Sequence, residues 1–407
     1  MVALLDDKKG VRVTIRYTFL GIAAGLASIG AASAADLPMT KAESVEYVKV
    51  CSAFGPGFFY IPGSDTCLQI SGQIRADYFY QQPSKRSDNQ TTFRTQSRIR
   101  FDARTDTDYG VLRSFLELEA DTNSLGTTAN GATGTNFLSV RRAYIQFGGL
   151  TAGYAWSPYS FFDQNYADMF FAPYFGEQGR RDLISYTAQY DKLWATLSIE
   201  DPQAHDSTSS LGASGTATGL AGSSMPDIVG VLGYDDNKNW GRVQVMGAIH
   251  QNRALNPSFD SKTGYAVGLG GNLNIPILSG AYIAAEASYA DGAQKYLNSG
   301  GADAYGNALE HNLGLAKGWT IQTEAAVNLT PALQAMIFGG YLKYDAPSVA
   351  THISDNFKYY VVGGQVTYTV VKGFIAGAEV WYQNKDPEGT TPNAHLVGAG
   401  IRLRRTF

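Results

Sequence analysis

Charge is scarce in this 407-residue chain: Asp, Glu, Lys and Arg make up 17% of it, against roughly 25% in an ordinary soluble domain. Long apolar runs are missing too, and mean hydropathy falls slightly below zero, which excludes a bundle of membrane helices. There is no basic excess, with 32 Lys+Arg against 36 Asp+Glu, so a nucleic-acid partner is not expected. Two cysteines cannot make a disulfide-dense scaffold. Neither they nor His205, His250, His311, His352 and His395 show metal-ligand spacing. No Ser/His/Asp constellation converges either, so the chain reads as a non-enzyme without a cofactor. What is abundant is glycine (45), tyrosine (25) and aromatic residues overall, at 12%; disordered chains lack such aromatics.

The first 34 residues read as a secretory signal peptide. Lys8, Lys9, Arg12 and Arg16 precede an uncharged stretch from Tyr17 to Ala35, and Ala32-Ser33-Ala34 fits the small-x-small rule for cleavage after Ala34. A membrane anchor is the alternative, but it usually carries a longer apolar run.

Beyond that segment a two-residue period dominates. In Leu68–Tyr80, Leu68, Ile70, Ile74, Ala76, Tyr78 and Tyr80 share one face, and Gln69, Ser71, Gln73, Arg75 and Asp77 share the other. Sixteen strands are expected near 68–80, 93–104, 111–120, 138–147, 150–156, 183–190, 193–200, 227–234, 240–250, 264–274, 281–289, 319–329, 333–342, 358–370, 374–383 and 395–407. Most are about ten residues long, the length that crosses a hydrocarbon layer. Aromatics such as Tyr78, Tyr80, Tyr154, Trp156, Trp319, Tyr341, Tyr368 and Tyr382 gather near strand ends on the apolar face, as a lipid–water girdle requires. Long and short connectors alternate without a break, which fits one rim of long loops and one of tight turns. The expected fold is all-β: a 16-stranded antiparallel transmembrane β-barrel over 68–407, enclosing a water-filled lumen. Either face of 227–234 could be the apolar one.

These residues resemble the alphaproteobacterial porin family. The resemblance rests on Ala35-Asp36-Leu37-Pro38, on the block from Val48 to Gly63 with Cys51, on Thr66-Cys67-Leu68-Gln69-Ile70-Ser71-Gly72, on Arg141-Arg142-Ala143-Tyr144-Ile145-Gln146-Phe147 and on the ending Arg404-Arg405-Thr406-Phe407. It implies a homotrimer of barrels in the bacterial outer membrane, among lipid and lipopolysaccharide, passing small hydrophilic solutes by diffusion. It also implies that Phe407 marks the chain for the barrel-assembly machinery, and that the third long loop folds inward.

That loop, 157–182, is rich in aromatics and carries Asp163, Asp168 and Glu177, the acidic side of an expected constriction. Arg75, Arg98, Arg100, Arg104, Arg113, Arg142, Arg402 and Arg404 fall on inward faces of neighbouring strands and form the basic side. Wall salt bridges with Asp77, Asp102, Glu117 and Glu119 are expected beside this ladder. Cys51 and Cys67, in the segment 35–67 ahead of the barrel, favour a disulfide in an oxidising compartment; two buried free thiols are the alternative. The nearest rival function is a substrate-specific channel, since Tyr144, Trp194, Phe338, Tyr359 and Trp381 are expected to point inward. A barrel serving as an adhesin is a third reading.

Overall fold

The computed structural model describes residues 49–83, 86, 90–123, 135–162, 169–202, 221–236, 239–255, 257–300, 303–307, 312–347, 356–389 and 392–407. The expected leader with Ala34, the segment 35–48, and Asp163 and Asp168 lie outside the described residues.

The strands are β1 (Phe58–Tyr60), β2 (Cys67–Gln81), β3 (Thr91–Thr107), β4 (Gly110–Asn123), β5 (Thr135–Phe147), β6 (Leu150–Trp156), β7 (Arg180–Tyr190), β8 (Leu193–Glu200), β9 (Asp227–Asp236), β10 (Gly241–Asn252), β11 (Lys262–Ile275), β12 (Ala281–Asp291), β13 (Ala304–Asn307), β14 (Asn312–Leu315), β15 (Lys317–Asn328), β16 (Leu333–Asp345), β17 (Phe357–Val371), β18 (Phe374–Pro387) and β19 (Ala394–Thr406). Sixteen of them, β2–β12 and β15–β19, pair antiparallel each with the next, and β19 pairs back onto β2. All sixteen expected strands are present, several extended at the ends. Turns of two residues, such as Gly148-Gly149 and Asp191-Lys192, mark one rim; both Gly148 and Asp191 take a positive φ there.

Exposure inverts the pattern of a soluble protein. On β2, Ile70, Ile74, Tyr78 and Tyr80 are exposed while Gln73 and Asp77 are buried. On β19, Val397, Ile401 and Leu403 are exposed while Arg402 is buried. An apolar row faces out and a polar row faces in, the arrangement that hydrocarbon demands. Closure follows from the same solvent, because lipid offers no partner to the N–H and C=O groups of an open edge. Outward ring pairs such as Trp319–Tyr341 and Tyr360–Tyr382 lie near strand ends. Trp156 departs from the expected girdle, since it lines an inner recess with Arg142 and Tyr144.

The seam has a repair that periodicity does not reveal. β19 runs out against Gln73 of β2, and Phe407 closes the ladder with Gly72. The lower edge of β2 is then taken over by β1, with Tyr60 opposite Cys67 and Phe58 opposite Gln69. A Cys51–Cys67 disulfide pins this short strand in place. Of the two alternatives for the cysteines, the structure has the disulfide.

β9 also resolves. Ile228 and Leu232 face out, while Val229 and Val231 are buried inward beside Tyr159 and Phe161 of the third long loop. Both faces are apolar because each meets an apolar neighbour. The connector expected over 290–318 is more than a loop: it holds a 3-10 turn at Gln294–Leu297 and the β13–β14 hairpin.

Candidate functional site: the charged lumen wall and the third long loop

The inner face of β2–β5 and β19 carries a network of guanidinium and carboxylate groups set by strand register. Arg100 stands opposite Glu117, and Glu117 opposite Arg142, across three adjacent strands. Glu117 accepts from Arg100 Nε at 2.7 Å and from Arg142 Nε at 2.8 Å. One rung away, Glu119 accepts from Arg98 Nε at 2.6 Å and Arg141 Nη1 at 2.9 Å. Asp102 takes two bonds each from Arg104 and Arg113, at 2.8–3.0 Å. Arg94 pairs with Asp121, Arg75 lies 3.5 Å from Asp77, and Arg402 bonds Asp77 at 2.6 and 2.8 Å. Arg404 stands opposite Arg75 on the same face.

Arg141 was not among the expected wall residues, because strict alternation turns it towards lipid. The register slips between Glu117 and Leu118, so that Arg142 and Val140 face these neighbours and Arg141 is the extra residue. Such a bulge re-aims a side chain, and it brings Arg141 onto both Glu117 (3.6 Å) and Glu119. No residue type in the segment announces the slip.

Nine arginines of this wall thus share five carboxylates: Arg75, Arg94, Arg98, Arg100, Arg104, Arg113, Arg141, Arg142 and Arg402 against Asp77, Asp102, Glu117, Glu119 and Asp121, an excess of four positive charges. Depth sharpens the sign. The side chains of Arg100, Arg104, Arg113 and Arg142 keep 23–31% of their surface exposed, whereas their partners Glu117 and Asp102 keep 1–7%. At these four positions the arginine is the more exposed partner and the carboxylate lies deeper.

The third long loop bonds to the remaining wall. Glu379 of β18 accepts from the backbone N–H groups of Phe170 (2.5 Å), Phe171 (2.9 Å) and Ala172 (2.7 Å). Arg402 donates to the Phe170 carbonyl at 3.0 Å. Gln322 accepts from Phe175 N–H at 3.3 Å, the Tyr159 hydroxyl donates to Ser288 at 3.3 Å, and Ser157 donates to Glu200 at 3.0 Å. The aromatic rings seat on wall glycines: a Cβ at Gly270, Gly340, Gly377 or Gly400 would strike Phe161, Phe175, Phe170 or Phe171 respectively. Strand glycines here admit a second layer of side chains.

Glu177 is a correction to the acidic side of the constriction. It is buried, bonded to Arg181 and to the Gly179 N–H at 2.7 Å, and not open to water. Burial pushes its carboxyl up from the usual range, while Arg181 and the Gly179 N–H pull it down. The carboxylates of the wall behind the loop are covered as well: Glu200, Asp227, Glu286, Glu324 and Glu379 are each at most 2% exposed. Of the inward aromatics, Phe338 and Trp381 are buried in one cluster with Met169, Ala172 and Phe175 of the loop, and Tyr144 and Trp194 line a recess that Pro158 of the loop also borders. Among the described residues no His/Cys/Asp/Glu group has the make-up of a metal site.

Comparison with known proteins agrees with this architecture. A family model described as a porin subfamily matches residues 36–399. The porin Omp2b of Brucella suis biovar 1 (strain 1330) is 27% identical over 410 residues, covering 97% of this chain and 100% of that protein. Omp2b of Brucella neotomae is 30% identical over 239 residues, covering 57% of this chain and 64% of that protein. Among solved structures, the outer membrane channel DcaP of Acinetobacter baumannii superposes with a TM-score of 0.68 at 18% identity, covering 86% of this chain and 99% of that one. The anion-selective porin from Comamonas acidovorans gives 0.55 at 12% identity, covering 84% and 100%. These likenesses support the barrel, and the family match carries further: the chain belongs to the porin subfamily.

Proposed function

We infer that this protein is an outer-membrane channel through which small hydrophilic solutes and ions diffuse passively, with the third long loop narrowing the lumen. The closed ring with a polar, arginine-lined inner wall carries the reading, because an apolar-out barrel of this strand number encloses water. The bonds from Phe170, Phe171, Ala172 and Phe175 to inward wall residues support the narrowing. Asp163 and Asp168 remain proposed members of the constriction. Arg75, Arg98, Arg100, Arg104, Arg113, Arg142, Arg402 and Arg404 form its basic side, joined by Arg141. Fixed charge at close quarters selects ions by sign, and the exposed surplus is cationic, so anions pass preferentially.

Export by cleavage after Ala34, insertion guided by the terminal Phe407, and residence among outer-membrane lipid and lipopolysaccharide complete the proposal. A homotrimer is included; the Vibrio cholerae OmpT structure is described as a trimer form. Porin membership favours a channel over a catalyst. Purified protein in planar bilayers tests the reading: long-lived ohmic openings in groups of three, with a zero-current potential of anion-selective sign across a KCl gradient, are expected. Silent bilayers sink the channel, and a cation-selective sign sinks the charge assignment.

A further inference from the structure

The backbone of the third long loop, packed against the inner wall, needs partners for its N–H and C=O groups. The wall supplies the first of them: Glu379 takes the N–H groups of Phe170, Phe171 and Ala172, and Gln322 takes that of Phe175. The next come from a different connector. Gly176 donates its N–H to the Leu297 carbonyl at 3.2 Å. The Tyr174 carbonyl accepts from Asn298 Nδ2 at 3.2 Å, as well as from Gln178. Leu297 ends the 3-10 turn between β12 and β15, and Asn298 is its cap. Both connectors leave from the rim of long loops, so the two meet inside the ring.

The turn has its own footing. Tyr296 and Leu297 are fully buried. The Tyr296 hydroxyl donates to Asp227 of β9 at 3.0 Å, and its ring lies 4.8 Å from that of Tyr159 at the root of the third long loop. Gln294 donates its N–H to Asp303 at 2.5 Å and its side-chain amide to the Ala316 carbonyl at 2.9 Å. Asn298 takes a left-handed φ of 53°, which Asn tolerates better than most residues. Its backbone N–H closes the turn on the Lys295 carbonyl at 3.0 Å, which leaves the side chain for the loop. On the other side of the loop, a Cβ at Gly176 would strike the Glu286 carboxylate of β12. The stretch 174–176 is therefore held between a wall strand and the turn.

We propose that Tyr296, Leu297 and Asn298 are positioning residues of the constriction: the β12–β15 connector clamps 174–176 of the third long loop, and the two loops together set the width open to solutes. The proposal rests on the channel reading and adds a second loop to it.

Asn298→Gly tests the clamp, because glycine keeps the left-handed backbone and removes only the side-chain bond. In the purified full-length barrel, amide hydrogen exchange over 174–176 is expected to quicken about fivefold, the worth of one hydrogen bond. Exchange over 170–172, held by Glu379, should keep its rate. Tyr296→Ala, which removes a buried ring, should quicken 174–176 by about tenfold or more; should it fail to fold, Asn298→Gly decides alone. In bilayers the same variants should show noisier openings, and liposomes carrying them should admit larger neutral sugars. Unchanged exchange at 174–176, or an equal rise at 170–172, overturns the clamp. A rise at 174–176 with unaltered noise and sugar cut-off overturns its part in the width. If the unaltered protein is silent in bilayers, the channel reading falls, and exchange still decides whether the turn holds the loop.

Discussion

Arg402 and Asp77, 325 positions apart in the chain, meet across the seam of the barrel in two bonds of 2.6 and 2.8 Å. The same Arg402 donates to the Phe170 carbonyl, so one side chain ties the last strand to the first and both to the third long loop. Removing one partner of a buried pair leaves the other uncompensated, at a cost of about 3–5 kcal/mol. Asp77→Ala and Arg402→Ala are therefore each expected to lower the unfolding midpoint in detergent markedly. The Asp77→Ala/Arg402→Ala double variant should recover part of the loss. Strict additivity of the two single variants would show that the pair is not coupled.

Glu379 is the acceptor for three consecutive N–H groups of the loop. Hydrogen bonds to a charged group contribute about 1.5–3 kcal/mol each. Glu379→Ala should release this stretch of the loop and leave the sixteen-strand ring folded. Larger single-channel conductance and noisier openings are expected; an unchanged conductance would mean that residues 170–172 do not narrow the lumen.

Arg141 and Arg405 separate charge on the inner wall from charge elsewhere. Arg141 is bonded to Glu119 on the inner wall. Arg405 is exposed on the outer face and donates to the Thr406 carbonyl at 2.6 Å, as a snorkelling side chain does. In a KCl gradient, Arg141→Ala should move the zero-current potential towards cation preference and Arg405→Ala should not. Equal shifts would contradict the inward aim of the bulge.

The Cys51–Cys67 bridge closes a loop of about the size for which the chain-entropy model gives roughly 3 kcal/mol. Cys51→Ser is expected to free β1 from the lower edge of β2. Proteolysis should then cut within 52–66, and single-channel conductance should stay at its original value. Protease resistance equal to that of the unaltered chain would show that pairing alone holds the segment.

Much of this was readable before any fold existed. The two-residue alternation of Leu68–Tyr80 dictates which of its residues meet lipid, because a strand can turn only every second side chain outward. The parity of long and short connectors then dictates an even, closed ring. The arginine faces of β2, β3, β4 and β19 follow from the same alternation. Arg141 escaped it because a bulge adds one residue to one strand, and nothing local to Ser139–Arg142 encodes the slip. The short β1 escaped because three residues carry no period; its place depends on where β19 ends.

The sequence by itself determined the strand count, the side of the wall on which each regular residue lies, and the stock of charges. These are local consequences of pleat and solvent. The tertiary structure alone decided how that charge is distributed: Glu177 is buried against Arg181, Glu379 is covered by loop N–H groups, and nine arginines share five carboxylates. Pairing and burial depend on distance between segments far apart in the chain, and only the folded molecule sets those distances.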